Sequence, residues 1–378
     1  MNRTRYGWIA AFIAVAACGG QTDGDTAEEA PSDASNGLEV VAEAPFETGA
    51  EPAVHLIDEN ERHFAGLRQI TFGGQNAEAY WSTDDEWIMF QATPREATCD
   101  QQYSMRPDGS DLSLVSTGTG RTTCGYFFPG NDKILYGSTH LGGEECPPEA
   151  DMSQGYVWAL YQDFDIFVAD ADGSNLERLT DAPGYDAEGT MSRDGEWIVF
   201  TSARDGDLEI YKMRTDGSEL TRLTDTPGYD GGPFFSYDGT KIVYRASHPE
   251  GDELADYRRL LAQGLIRPSQ LDIFVMDADG SNKRQLTDNG RANFGPYFFP
   301  DGQRIIFSSN MDAESPQVPD FDLYAINVDG TGLERLTYAG DFDGFPMFNS
   351  DGTQVIFASN RGNELPRETN LFIADWVD

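Results

Sequence analysis

Acidic, amide and hydroxyl side chains recur at one fixed point of this sequence. Asn76, Thr122, Asp186, Asp230, Asn293 and Asp343 each stand nine residues ahead of the end of a turn motif, and Glu78 and Glu188 follow two places further on. An oxygen-rich collar of this kind suits a hard cation such as Ca²⁺, or would grip the amine and hydroxyl groups of a ligand. The competing reading is structural, with Asx side chains capping tight strand entries by bonding nearby backbone N–H groups. Asp-Ala-Asp-Gly-Ser-Asn at 170–175 and 277–282 lacks the spacing and closing Glu of a calcium loop, so both copies read as hairpins. No cofactor is expected, Ca²⁺ being the one ion the collar would suit.

Three cysteines, Cys99, Cys124 and Cys146, fall in the body of the chain. An oxidising compartment favours one disulfide among them and leaves one thiol over. Cys124–Cys146 is the first expectation and Cys99–Cys124 the second. His140 beside Cys146 makes a zinc or copper set the alternative, although the spacing matches no standard zinc signature. The chain has no Gly-x-Ser-x-Gly elbow, His-Glu-x-x-His or phosphate-binding glycine loop. Its four histidines, His55, His63, His140 and His248, form no catalytic constellation. Acid pairs are plentiful among 65 Asp and Glu, but nothing selects one as a glycosidase pair. The chain reads as non-catalytic.

The elements that must position these side chains follow from a repeat. Six segments carry an aromatic-rich or apolar strand into a tight turn: 80–85, 126–131, 190–195, 234–239, 297–302 and 347–352. An apolar run follows each, as in Trp-Ile-Val-Phe at 197–200 and Arg-Ile-Ile-Phe at 304–307. Between them come Asp-Gly hairpins at 108–109, 172–173, 216–217, 279–280 and 329–330, where Gly accepts the positive φ such turns require. Each unit holds four short strands, a to d, and repeated four-stranded units are the blades of a β-propeller. The fold expected is all-β and six-bladed, with a single short helix in a loop insertion.

Six strand-a motifs against five hairpins predict how the ring closes. The last unit ends in strand c at 371–378, and Leu-Arg-Gln-Ile-Thr (67–71) matches the strand-d segment Leu-Glu-Arg-Leu-Thr (176–180). The N-terminal strand is therefore expected to complete blade six, which removes exposed sheet edges. Taken together, Leu-Thr, Pro-Gly-Tyr-Asp, Phe-Ser-x-Asp-Gly, Ile-Val-Phe and Asp-Gly-Ser resemble the blade of the TolB-like, WD-repeat-like propellers of bacterial envelopes, over roughly residues 55–378. The resemblance implies work within envelope assemblies. Some propellers of this type are joined to zinc aminopeptidase domains, and this sequence carries none.

Residues 1–17 read as a signal peptide, with a basic start (Arg3, Arg5) and an apolar run from Trp8 to Ala17 too short to span a bilayer. Val15-Ala16-Ala17-Cys18 looks like a lipobox, which would make Cys18 the lipidated first residue of an outer-membrane lipoprotein facing the periplasm or the cell surface. The acidic stretch 18–54 has few large apolar groups and is expected to be a flexible tether. A net charge of −39 excludes nucleic acid and anionic lipid as partners.

All large insertions are b–c loops, at 141–163 and 246–271 with shorter ones at 310–320 and 360–369, so one face of the toroid is elaborated. Leu254, Tyr257, Leu260 and Leu261 fall on one helical stripe that ends at Gly264. Loops on a rigid scaffold carry recognition. The expectation is a monomer that binds an envelope protein or peptide on this face, through Asn76, Glu78, Asp186, Glu188, Asp230, Asn293 and Asp343 at the channel mouth and Tyr257 and Arg258 in the insertion. The alternatives are a carbohydrate binder or lyase-like enzyme using these acids with Tyr185, Tyr229 and Tyr257, and an accessory to a separately encoded peptidase.

Overall fold

The repeated turn motifs work through hydrogen bonds within the motif. In blade three, Ser192 Oγ donates to Asp194 Oδ1 (2.6 Å) and accepts from Trp197 N (2.9 Å), while Gly195 holds φ +75°. The Ser236–Asp238 pair repeats this at 2.6 Å in blade four. At the c–d hairpins the Asp side chain accepts from the backbone N–H two residues on, as Asp172 does from Ser174 (2.9 Å). These Asx turns fix strand register with the side chains the motif supplies.

The computed structural model describes residues 46–378 apart from 316–319, 340–341 and 364. The signal peptide, the lipobox Cys18 and the tether up to residue 45 lie outside the described residues. The chain forms a six-bladed β-propeller. Blade three runs Asp186–Met191, Trp197–Ser202, Glu209–Arg214 and Thr221–Arg222, and the other blades repeat this meander. The innermost strands, from Gln75–Trp81 in blade one to Asp343–Phe348 in blade six, each pack against both neighbours and close the ring. Sandwiched between blades, they bury both faces, and this is why aromatic and other apolar residues follow one another there without alternation.

Blade six closes as the strand-d match predicts. Phe64–Phe72 pairs with Asn370–Trp376, so the first part of the propeller completes its last sheet. One side-chain device identifies the match at atomic level. Thr180, Thr224, Thr287 and Thr337 each accept, through Oγ1, the N–H of an early strand-c residue of their own blade (2.8–2.9 Å). Thr71 does the same for Leu371 N (2.8 Å), and Ser116 for Gln102 N (3.0 Å) in blade one. Six blades therefore share one Ser/Thr latch.

The tether expected over 18–54 does not extend to its distal end. Glu47–Pro52, inside the span 18–54, is a fifth strand on the outer edge of blade six, paired with Phe64–Phe72. Its neighbour Phe46 is buried edge-on against Phe90 and Tyr103 of blade one, and Thr48 Oγ1 donates to Gly109 O (2.7 Å) in that blade's c–d hairpin. Mean composition hid these anchors, because a single buried Phe is enough to dock an otherwise polar strand.

The expected helix, α1, spans Gly251–Leu261 and buries Tyr257 and Leu260. Its stripe packs against Leu160, Leu208, Tyr229, Ile266 and Val157. Those residues belong partly to the propeller rim and partly to the blade-two insertion. The two insertions meet directly, Trp158–Ala159 pairing with Leu265–Ile266 as a two-stranded sheet. Leu160 N donates to Gly264 O (2.7 Å), and Arg267 Nη1 donates to Gln154 O (3.1 Å). Loops from blades two and four thus join into one bridge.

Candidate functional site

Each strand a carries a bulge against strand b, and the residue in it has left-handed backbone in all six blades: Glu78 (φ +49°), Cys124 (+51°), Glu188 (+57°), Gly232 (+58°), Gly295 (+56°) and Phe345 (+54°). Only two are glycine. A bulge re-aims a side chain, and the side chains of Glu78, Glu188 and Phe345 line a cavity at the end of the channel beneath the bridge. The cavity measures about 210 Å³. Its roof comes from the blade-two insertion and Ile266 of the blade-four insertion, including Val157, Trp158, Leu160 and Tyr161.

The polar wall is built around an ion pair. Arg245, buried on strand Lys241–Ser247, donates through Nη2 to Glu188 Oε1 and through Nε to Tyr229 Oη (2.9 Å). Glu188 Oε2 also accepts from Thr201 Oγ1 (2.7 Å) and Gly232 N (2.9 Å). The guanidinium lies 5.4 Å from the Trp158 ring centre and 5.7 Å from that of Tyr229. Gly232 makes room for it, since a Cβ there would come within 2.3 Å of Arg245 Nη1. A second buried pair, Asp100 with Arg121 (2.9 Å), flanks the cavity, and Arg121 also lies 5.7 Å from the Tyr161 ring centre. Burial outweighs Arg121 and the Thr93 hydroxyl and pushes the Asp100 carboxyl up to about 6.

Glu78 has a different environment. It accepts the Cys124 thiol (2.8 Å) and makes no ion pair among the described residues. Burial pushes its carboxyl up to about 7, over the opposing thiol hydrogen bond, and the nearby Glu188 charge acts in the same direction. Burial, with both glutamates beside it, drives the Cys124 thiol well above its ordinary range, so it is a protonated donor and a poor nucleophile. Phe164, Tyr185, Phe294, Phe342 and Phe345 complete the lining.

The pattern matching the TolB beta propeller domain covers residues 156–257 and 255–367, more than half of the chain. The chain belongs to the TolB beta propeller domain family. Solved structures agree in fold. A putative TolB from Agrobacterium tumefaciens is 19% identical, with a TM-score of 0.55 over 82% of this chain and 94% of that one. TolB from Acinetobacter baumannii is 16% identical, with a TM-score of 0.51 over 80% of this chain, and this chain spans 63% of that protein's length. An oligogalacturonate lyase from Vibrio parahaemolyticus is 13% identical, with a TM-score of 0.49 over 87% and 96% of the two chains. No curated protein matches the sequence.

Within this TolB-family propeller, the sequence-derived collar divides in two. Asp186, Asp230, Asn293 and Asp343 are buried and do not line the cavity. Asp186 pairs with Arg204 (2.8 Å), Asp230 with His248 (3.0 Å) and Asp343 with Arg361 (2.7 Å), which in turn pairs with buried Glu61 (3.1 Å). Asn293 Nδ2 donates to Leu271 O (2.7 Å), Asn76 Nδ2 to Thr369 O (2.9 Å) and Thr122 Oγ1 to Asp100 O (3.1 Å), each reaching the preceding blade. Asn76 and Thr122 reach the cavity edge, but their hydrogen bonds are blade-to-blade ties. The ligand-binding expectation holds for neither Asp186, Asp230, Asn293 nor Asp343, because folding already uses those groups. Among the described residues, no group of three or more His, Cys, Asp or Glu is placed to hold a metal ion.

Three further expectations are corrected here. The disulfide joins Cys99 and Cys146, and Cys124 is the buried free thiol. The strand-a bulge turns Cys124 toward Glu78 in the channel, away from the loops where the other two meet. The zinc alternative falls with that pairing, and His140 Nδ1 instead contacts Ser138 Oγ (2.9 Å). Tyr257 is closed to a partner, since its buried hydroxyl lies between two acceptors for its one proton, Gly228 O (2.7 Å) and Asp207 Oδ1 (2.5 Å). Arg258 is exposed on the outer side of α1. Sequence reasoning missed Arg245 and Trp158. The signal for Arg245 was available: its column in the other blades holds Gln91, Gly137, Thr201, Ser308 and Ala358, none of them charged.

Proposed function

We propose that this TolB-family propeller is a non-catalytic binding module of the bacterial cell envelope, anchored through a lipid on Cys18, that takes a protein or peptide partner on its b–c loop face. The observation that supports this reading most is the bridge itself. Insertions from two non-adjacent blades are folded together over the channel end, while the opposite face carries short, uniform turns. Exposed Leu141, Met152 and Arg258 decorate the elaborated side, which suits a macromolecular contact. No helix among the described residues is long and apolar enough to cross a membrane, so attachment would fall to the N-terminal lipid.

Cross-linking in detergent-solubilised envelopes tests the reading. One stoichiometric protein should attach to the b–c face, and the Met152→Asp, Arg258→Glu double variant should lose it. Attachment to the opposite face overturns the partner surface. Turnover of a glycan that disappears in Glu188→Gln establishes the carbohydrate-active alternative. Metabolic labelling with palmitate should mark the wild type and leave Cys18→Ser unlabelled.

A further inference from the structure

We infer that the bridged cavity is a binding site for an organic cation, an ammonium or guanidinium group on an apolar stem, with Glu78 as its counter-ion. The inference concerns the cavity alone and stands whether or not a partner protein covers the face above it.

The cavity already contains two cations, and both are matched. Arg245 is held by Glu188 and Tyr229, and Arg121 by Asp100. Each is also stacked near an aromatic ring of the bridge, Trp158 or Tyr161. Among the cavity carboxylates, Glu78 alone has a thiol for its partner where the other two have guanidinium groups. Ionised, Glu78 gives the site one negative charge beyond what its two arginines neutralise. Burying such a charge without a partner is unfavourable, and a ligand cation would offset that cost.

Shape and lining point to the same class. A cavity of about 210 Å³ exceeds the roughly 150 Å³ apolar cavity that accommodates benzene. The lining is also rich in aromatic rings, with Tyr185, Phe294, Phe342 and Phe345. Aromatic faces attract cations through the ring quadrupole, most strongly when water is excluded. A free carboxylate ligand fits less well, since it would meet Glu78 and Glu188 while both arginines are already engaged.

The protonation of Glu78 gives the inference its test. The groups facing it are the Cys124 thiol of blade two, Glu188 of blade three, Arg245 of blade four and Asp100 of the blade-one loop. Burial holds the Asp100 carboxyl up at about 6, and the histidines of this face, His140 and His248, contact Ser138 and Asp230 outside the cavity lining. A cation binds the ionised form of Glu78. Affinity should therefore be full above the carboxyl's value of about 7 and fall below it, by about tenfold between pH 8 and pH 6.

Calorimetry of the propeller with phenethylamine and its neutral isostere 2-phenylethanol reads this directly. Phenethylamine should bind at pH 8, about tenfold more weakly at pH 6, and without pH dependence and at least tenfold more weakly at pH 8 to Glu78→Gln. Circular dichroism checks that the variant is folded. 2-Phenylethanol should bind weakly and independently of pH. Parallel titration with blocked Gly-Lys-Gly and Gly-Gln-Gly peptides separates the sources, since a lysine preference points to a basic side chain and binding of free amine alone to a small molecule. Equal affinity for amine and alcohol, an unchanged Glu78→Gln, or no amine binding overturns the inference. If that variant does not fold, a flat wild-type profile from pH 6 to pH 8 overturns it.

Discussion

Two rings of side chains, two residues apart along strand a, have opposite fates. The first ring, Asn76, Thr122, Asp186, Asp230, Asn293 and Asp343, is uniform in chemistry and is committed to holding strand ends and neighbouring blades together. The second, Glu78, Cys124, Glu188, Gly232, Gly295 and Phe345, shares one backbone conformation but has no common chemistry. In a repeat protein, what every unit keeps serves the unit, and the site is found where the repetition breaks. The left-handed backbone common to the second ring is a property of the blade, whereas the glutamates and the phenylalanine placed on it line the cavity and the thiol bonds to Glu78.

The contrast makes predictions of opposite sign for the two rings. Asp343→Ala should be strongly destabilising. It removes one carboxylate of a buried Glu61–Arg361–Asp343 cluster, leaving Glu61 alone to hold Arg361, and the lost charge-assisted hydrogen bond costs roughly 3 kcal/mol. Denaturant titration should show that loss while phenethylamine binding by the folded protein is retained. If binding collapsed and stability did not, the roles of the rings would be reversed.

Glu78→Gln should move stability the other way. The folded carboxyl is raised from 4.5 to about 7, so the native state holds its proton to higher pH than the unfolded chain. Its ionisation opposes folding only above pH 4.5, increasingly up to about 7 and constantly beyond. At pH 8 the variant should therefore be more stable by about 3 kcal/mol, and the advantage should shrink to less than about 1 kcal/mol at pH 5. Thermal melts at the two pH values check this, and a destabilised variant at pH 8 would return Glu78 to the structural ring.

The smallest effect tests the closure. Thr71→Val removes the latch to Leu371 N and should cost about 1 kcal/mol, the net value of one such hydrogen bond. Thr224→Val in an internal blade should cost the same, if the closing blade is held as the others are.

Much of the fold was legible because its signals are local. Asp-Gly turns and Ser-x-Asp-Gly pairs act within a few residues, and the Leu-Thr segment recurs at a fixed place in the unit, so the copies reveal both the blade and the way Thr71 completes it. The collar was legible as a repeated column for the same reason, but its bonds are ion pairs and blade-to-blade ties to backbone carbonyls rather than caps on nearby N–H groups. The cavity was not legible, because its members are brought together by the ring. Trp158 reaches Arg245 only after two insertions pair, and Arg245 fits only because Gly232 is small. The disulfide depended on which way one bulged residue turns. Spacing along the chain placed Cys124 beside Cys146, and the left-handed backbone at Cys124 separates them.

The outer strand Glu47–Pro52 carries a mechanical implication. Everything N-terminal to Phe46 connects to the toroid at the junction where its first and last blades are joined. Tension arriving from that side would act first on the rung between Glu47 and Phe72 and on the Phe46 contact with blade one. Only after that strand peeled away would the strand that seals the circle be reached, so this short edge segment shields the seam from any pull on the chain before it.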